Sequence, residues 1–190
     1  MSDTRKISEG LNLMYVGNII IIAAALCTLL ALLMPFLVIL TSLAIIIGGV
    51  VCLVGLVKLR NEHGDYMNAL IACVLGIVFG LFSNGDSTFA NFMSLANTIC
   101  TLFETYFVIR GTNSFLRDRG CLTEVSMGDK AWRWQLISAV ASVAAAVLAA
   151  VSLFAAPGLS IVLVLGVLGV SIAALVFYLS YLRAGVAALS

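Results

Sequence analysis

Charge is the scarcest commodity in this sequence: ten Lys/Arg and nine Asp/Glu make up 10% of 190 residues, where a soluble domain carries about a quarter. The net charge of +1 leaves no basic surface for nucleic acid, so no nucleic-acid partner is expected. Two prolines rule out a Pro-rich flexible tract, and five cysteines without paired spacing rule out a disulfide framework. One histidine, His63, has no second histidine or cysteine pair at ligand spacing, so neither a metal nor a cofactor is expected. Gly-x-Ser-x-Gly, His-Glu-x-x-His and phosphate-cradling Gly-Lys-Ser/Thr motifs are all missing, which argues against an enzyme and against any catalytic residue. What is abundant is apolar: 63% hydrophobic residues and a mean hydropathy of +1.18 describe an integral membrane protein.

The uncharged intervals give the spans. Gly10 to Val57 is 48 residues and Trp134 to Leu182 is 49. A single helix of either length would run about 72 Å, more than twice the roughly 30 Å of hydrocarbon. Each run therefore holds two helices, broken at Pro35 and Pro157. Between them lie Tyr66 to Ser83 and Thr88 to Ile109, parted by the turn formers Asn84-Gly85-Asp86-Ser87. The expectation is an all-α, polytopic protein with six transmembrane helices near 11–33, 37–58, 66–83, 88–110, 134–155 and 159–182.

All ten basic residues then fall on one side: Arg5 and Lys6, Lys58 and Arg60, Arg110 through Arg133, and Arg183. Lys/Arg gather in cytoplasmic loops, so both termini are expected inside, in a plasma membrane of bacterial type. The opposite turns hold a single charge, Asp86. The chain forms one transmembrane domain of three helical hairpins, 11–60, 66–110 and 134–183, with a cytoplasmic linker at 111–130. Within that linker Phe115, Leu116, Arg117 and Arg119 would extend the fourth helix along the inner surface, where arginines meet anionic headgroups.

From each outer turn to the basic residue closing its returning helix the separations are 25, 26 and 26 residues (Pro35 to Arg60, Asn84 to Arg110, Pro157 to Arg183), which reads as a hairpin used three times in parallel. Three hairpins without large loops, a proline at two outer turns and glycines in returning helices (Gly48, Gly49, Gly55; Gly166, Gly169) resemble the HdeD-like acid-resistance membrane proteins, a family of small six-span bacterial membrane proteins. That resemblance implies a stress-associated membrane component and transfers no catalytic residue. The chain also looks like the substrate-binding S components of vitamin transporters in span number, while its short outer turns depart from their ligand-capturing loops.

One ionisable residue, Glu104, lies away from the ends of the spans, and such residues mark functional sites or buried pairs. Asn91, Ser94, Asn97, Thr101 and Glu104 recur every three or four residues, so the fourth span carries a polar stripe that must face the bundle or a wet cavity. The structural alternative is an ion pair of Glu104 with Lys58 or Arg60. Ser138 and Ser142 belong to a small-residue face of the fifth span, with Gln135, Ala145, Ala149 and Ser152, suited to close helix packing. Gly76 and Gly80 form a GxxxG pattern read as intramolecular packing, and His63 reads as a solvated loop residue.

Two functions fit. The first is a non-enzymatic stress-associated, assembly or regulatory membrane component, with a cytoplasmic or membrane protein or a second copy of the chain as partner besides the lipid bilayer. The second is a small channel or transporter using the stripe with Glu104. The first is favoured on sequence because ion pathways usually need several polar stations and only one intramembrane charge is present.

Overall fold

The structure, a computed structural model, describes residues 4–31, 36–83, 85, 87–152 and 157–190. The regular elements among these residues are all helices: α1 Thr4–Ala31, α2 Phe36–Leu59, α3 Gly64–Leu81, α4 Thr88–Asp118, α5 Leu122–Ser152 and α6 Pro157–Leu189. Five of the six, all but α5, contain a described stretch long and apolar enough to cross a membrane. Glu124, Asp129, Lys130 and Arg133 crowd the first half of α5. The expected turn residues Pro35, Asn84 and Asp86 lie outside the described residues, whereas Pro157 is the first residue of α6, a position where its missing N–H is not needed.

The helices overrun the expected spans on the basic side. The segment 111–130, read as a linker, is helix except for a turn at 119–121, so α4 and α5 each reach 31 residues. The charges that suggested a loop, Arg117, Asp118 and Arg119, sit on the exposed side, while Leu116, Val125 and Ala131 are buried on the other. Gly120 makes the turn. Its φ of +72° is left-handed, and the Gly120 and Cys121 amides close on the Arg117 and Leu116 carbonyls at 2.9 Å. His63 is correspondingly more than a solvated loop residue: its Nδ1 accepts the Asp65 amide at 3.2 Å and caps α3, and its ring stands edge-on to Phe115.

Three antiparallel hairpins form, α1 with α2, α3 with α4 and α5 with α6. They close into a ring, because α2 also packs on α3, α4 on α5 and α6 on α1. The α1–α2 seam is the tightest. A Cβ added at Gly17 would lie 2.7 Å from the Gly48 carbonyl oxygen, and one at Gly55 would lie 2.7 Å from that of Gly10. Gly10 and Gly17 on one helix, and Gly48 and Gly55 on the other, are each seven residues apart, so every second turn lets the backbones touch.

The core is one-ended. Ile7, Leu11, Leu56, Leu59, Tyr66, Val108, Leu116, Tyr181 and Leu182 are buried at the end where the basic residues gather. At that end Tyr66 Oη and Thr112 Oγ1 share a hydrogen bond of 2.9 Å. The Tyr181 hydroxyl donates to Asn113 Oδ1 at 2.8 Å and to the Ile109 carbonyl at 3.2 Å, and Asn113 Nδ2 donates to Asp129. The Arg119 guanidinium donates to the Ala188 carbonyl and to Thr4 Oγ1, tying the α4–α5 turn to α1 and α6. Toward the turns, by contrast, Leu40, Ile46, Leu81 and Phe92 are all more than half exposed.

Candidate functional site

The polar stripe of α4 arises from helical spacing, and burial shows which way it looks. Ala90, Thr105, Val108 and Thr112 are buried and lie on one face, three or four residues or a multiple apart. Phe92, Leu95, Ile99 and Phe103 occupy the opposite face and are exposed, as lipid-facing side chains are in an isolated chain. Ser94, Asn97, Thr101 and Glu104 share the buried face, so the stripe looks into the ring. Ser94 and Thr101 are nevertheless exposed, and Asn97 and Glu104 are only partly buried. Among the described residues the ring interior is therefore filled at its basic end, and the stripe toward the turns is exposed. Asn91 sits at the stripe's margin and is exposed.

The hydroxyls along the stripe satisfy themselves locally. Thr98, Thr101 and Thr105 each donate to the carbonyl four residues back at 3.0 Å, which leaves their oxygens free to accept from something else. Asn97 is held against α3. A Cβ on Gly76 would meet its Oδ1 at 3.3 Å and one on Gly80 its Nδ2 at 3.6 Å, so both GxxxG glycines sit where the amide needs room.

Glu104 lies beside Cys73 of α3, with Cys52 of α2 and Tyr178 of α6 within electrostatic range. Neither basic residue proposed for it is near enough to pair. Lys58 engages Glu9 at 3.4 Å, and Arg60 makes no ion pair among the described residues. Arg110 lies nearly two turns along α4 and engages Asp65 at 3.4 Å. The reason is depth: cations gather where helices leave the membrane, and Glu104 is about 9 Å short of Arg110 along the axis. Among the described residues no cluster of His, Cys, Asp or Glu has the geometry of a metal site.

The other sequence-selected residues separate from this site. Ser138 shares a 2.9 Å hydrogen bond with Ser171 across the α5–α6 seam, and Ser142 donates to the Ser138 carbonyl. The side chains of Ala149 and Ser152 lie outside those described. Sequence reasoning missed Tyr66, Thr112, Asn113 and Tyr181, which bond across the floor of the ring; Thr112 continues the three-to-four-residue spacing of Thr101, Thr105 and Val108 on α4, and the two tyrosines carried no such signal. No family model matches the sequence, and no curated protein or solved structure is detectably similar to it.

Proposed function

We propose that the chain is a non-enzymatic, six-span protein of the bacterial cytoplasmic membrane with both termini inside, and that it acts as a small channel or transporter taking a proton or a small cation at Glu104. The observation carrying this reading is a carboxylate on the inner face of α4 for which no ion pair is formed among the described residues, below the exposed inward residues Thr101 and Ser94. A carboxylate left in low dielectric without a partner either takes up a proton or attracts a cation. Asn97, Thr101 and Ser94 supply the additional polar stations that the charge count alone does not. The bonded floor and the exposed residues on the turn side support access to Glu104 from the turn side.

Reconstitution into liposomes with a pH-sensitive dye tests it. Wild type should pass protons down an imposed gradient, and Glu104→Gln should abolish the flux while keeping its elution profile in detergent, because glutamine cannot change charge. A wild type as tight as empty liposomes to protons and to monovalent cations would refute the reading. The topology is checked separately in right-side-out vesicles, where an impermeant thiol reagent should spare Cys121 and label a cysteine introduced at Asp86.

The second reading, a stress-associated, assembly or regulatory component, has its own support. A Cβ added at Gly49, Gly166 or Gly169 would meet nothing within 4 Å, so these glycines leave bare backbone that another helix can approach.

A further inference from the structure

The seam between α4 and α5 carries two recesses in line. At the basic end Tyr106, Arg110, Arg117, Asp129 and Trp132 line a cavity of about 270 Å³ of mixed polar and apolar character, backed by Asn113. Toward the turns a trough of about 390 Å³ runs between Thr98 and Leu102 on α4 and Leu136, Val140 and Ala144 on α5. One helical turn separates Tyr106 from Leu102, and one separates Trp132 from Leu136, so the trough continues the cavity along both helices. The trough is almost wholly apolar, and the cavity is not.

The charges in the cavity have a pattern of their own. Arg110 spends its Nε on Asp65 and keeps its remaining N–H groups on an exposed side chain. Arg117 makes no ion pair among the described residues. Asp129 receives one hydrogen bond, from Asn113 at 3.3 Å, through one of its two oxygens. Lys130, the cation nearest in sequence, is directed to the other side of α5, over the Phe177 ring at 4.5 Å. The cavity thus offers guanidinium donors for an anion and a carboxylate for a cation, with Tyr106 and Trp132 packed together 5.0 Å apart at its rim. Aromatic residues of this kind belong at headgroup depth, and basic pockets between membrane helices on the cytoplasmic side take phospholipid headgroups.

We infer that the α4–α5 seam binds one phospholipid whose headgroup carries a phosphate and a primary ammonium, the phosphate on Arg117 and Arg110, the ammonium on Asp129, and one acyl chain in the trough. A phosphate accepts bidentate bonds from guanidinium, and a primary ammonium can donate to a carboxylate where a quaternary one cannot. A soluble phosphate compound would leave the apolar trough empty. A purely anionic headgroup would set its charge against Asp129.

Native mass spectrometry of the detergent-purified protein, titrated separately with phosphatidylethanolamine, phosphatidylcholine, phosphatidylglycerol and soluble glycerophosphoethanolamine, reads this directly. Phosphatidylethanolamine should be retained most strongly. Losing one charge-assisted phosphate contact in Arg117→Gln should weaken its retention about tenfold. Asp129→Asn should erase the preference over phosphatidylcholine, and Ala144→Trp, at an exposed position in the trough, should weaken every lipid alike. Ile71→Trp, in the separate groove between α3 and α4, should change nothing. Equal retention of the three lipids in wild type, tightest retention of phosphatidylglycerol, indifference to Arg117→Gln, or glycerophosphoethanolamine binding as tightly as the lipid would each overturn the assignment.

Discussion

The two ends of the ring are built on different rules. At the basic end large side chains interlock and polar ones bond across helices, so Tyr66 reaches Thr112 and Tyr181 reaches Asn113. At the turn end hydroxyls bond back to their own helices and apolar residues face outward, leaving each hairpin to stand on its internal seam. The difference teaches where rigidity comes from in a chain this small. Cross-helix bonding at one end ties the ring together, and among the described residues it is scarce at the other, where Ser94 and Thr101 are exposed.

The largest test of that contrast is steric. Gly17→Leu drives a side chain into the Gly48 carbonyl and Cys52, whereas Gly49→Leu, next to Gly48 on the facing helix, meets open space. Overpacking of this kind costs about 3 kcal/mol or more, so Gly17→Leu should lose the folded monomer in detergent. Gly49→Leu should melt like wild type. Similar melting of both would mean that the α1–α2 seam is not close-packed.

Next in size is the floor. Tyr181→Phe strands Asn113 Oδ1 and should cost about 1–2 kcal/mol by thermal unfolding in detergent. Thr98→Val, which loses only a bond within its own helix, should stay within about 0.5 kcal/mol. Equal losses would erase the distinction between the ends.

Accessibility sharpens the comparison without touching stability. In reconstituted protein, a cysteine at Thr101 should react with a water-soluble thiol reagent, and one at Val108, two turns deeper on the same face, should not. Silence at Thr101 would mean that the gap beside the stripe is dry. The smallest expected effect is that of Ser138→Ala, which removes the bond to Ser171 and should cost about 0.6 kcal/mol, the average for such bonds between membrane helices.

Much of this was legible in the order of residues, and the reasons for the remainder are specific. Charge-free runs and the break at Pro157 locate the helices because hydrocarbon excludes charge so strongly. The same signal is only half informative at 111–130: an extension of the fourth helix through Phe115, Leu116 and Arg117 was readable, whereas the start of α5 at Leu122 was hidden by charges, although Leu116 and Val125 are core. The stripe was readable because helical period is a property of sequence. Its exposure was not, since that depends on how far apart α4 and the facing helices stand. The pairing of Glu104 failed for a related reason: distance along the chain to Lys58 says nothing of depth, and Lys58 finds Glu9 on the neighbouring helix first. The Gly10, Gly17, Gly48 and Gly55 seam has a seven-residue period visible in the sequence, and it packs backbones closer than the GxxxG spacing at Gly76 and Gly80 does.

One mechanical property follows from the length of α4. Thirty-one residues make a rod of about 46 Å, so roughly a third of it stands beyond a hydrocarbon layer about 30 Å deep. It holds no proline, and its hydrogen-bonded ladder runs from the Ser87 cap to the Gly120 turn. A rod of that kind is anchored at the floor of the ring, where Thr112 and Asn113 are bonded to Tyr66 and Tyr181. Arg119, one residue past its end, is bonded to Ala188 and Thr4 as well, so the basic third of the rod is held at several points and the Ser94 end is the part left to its own hairpin.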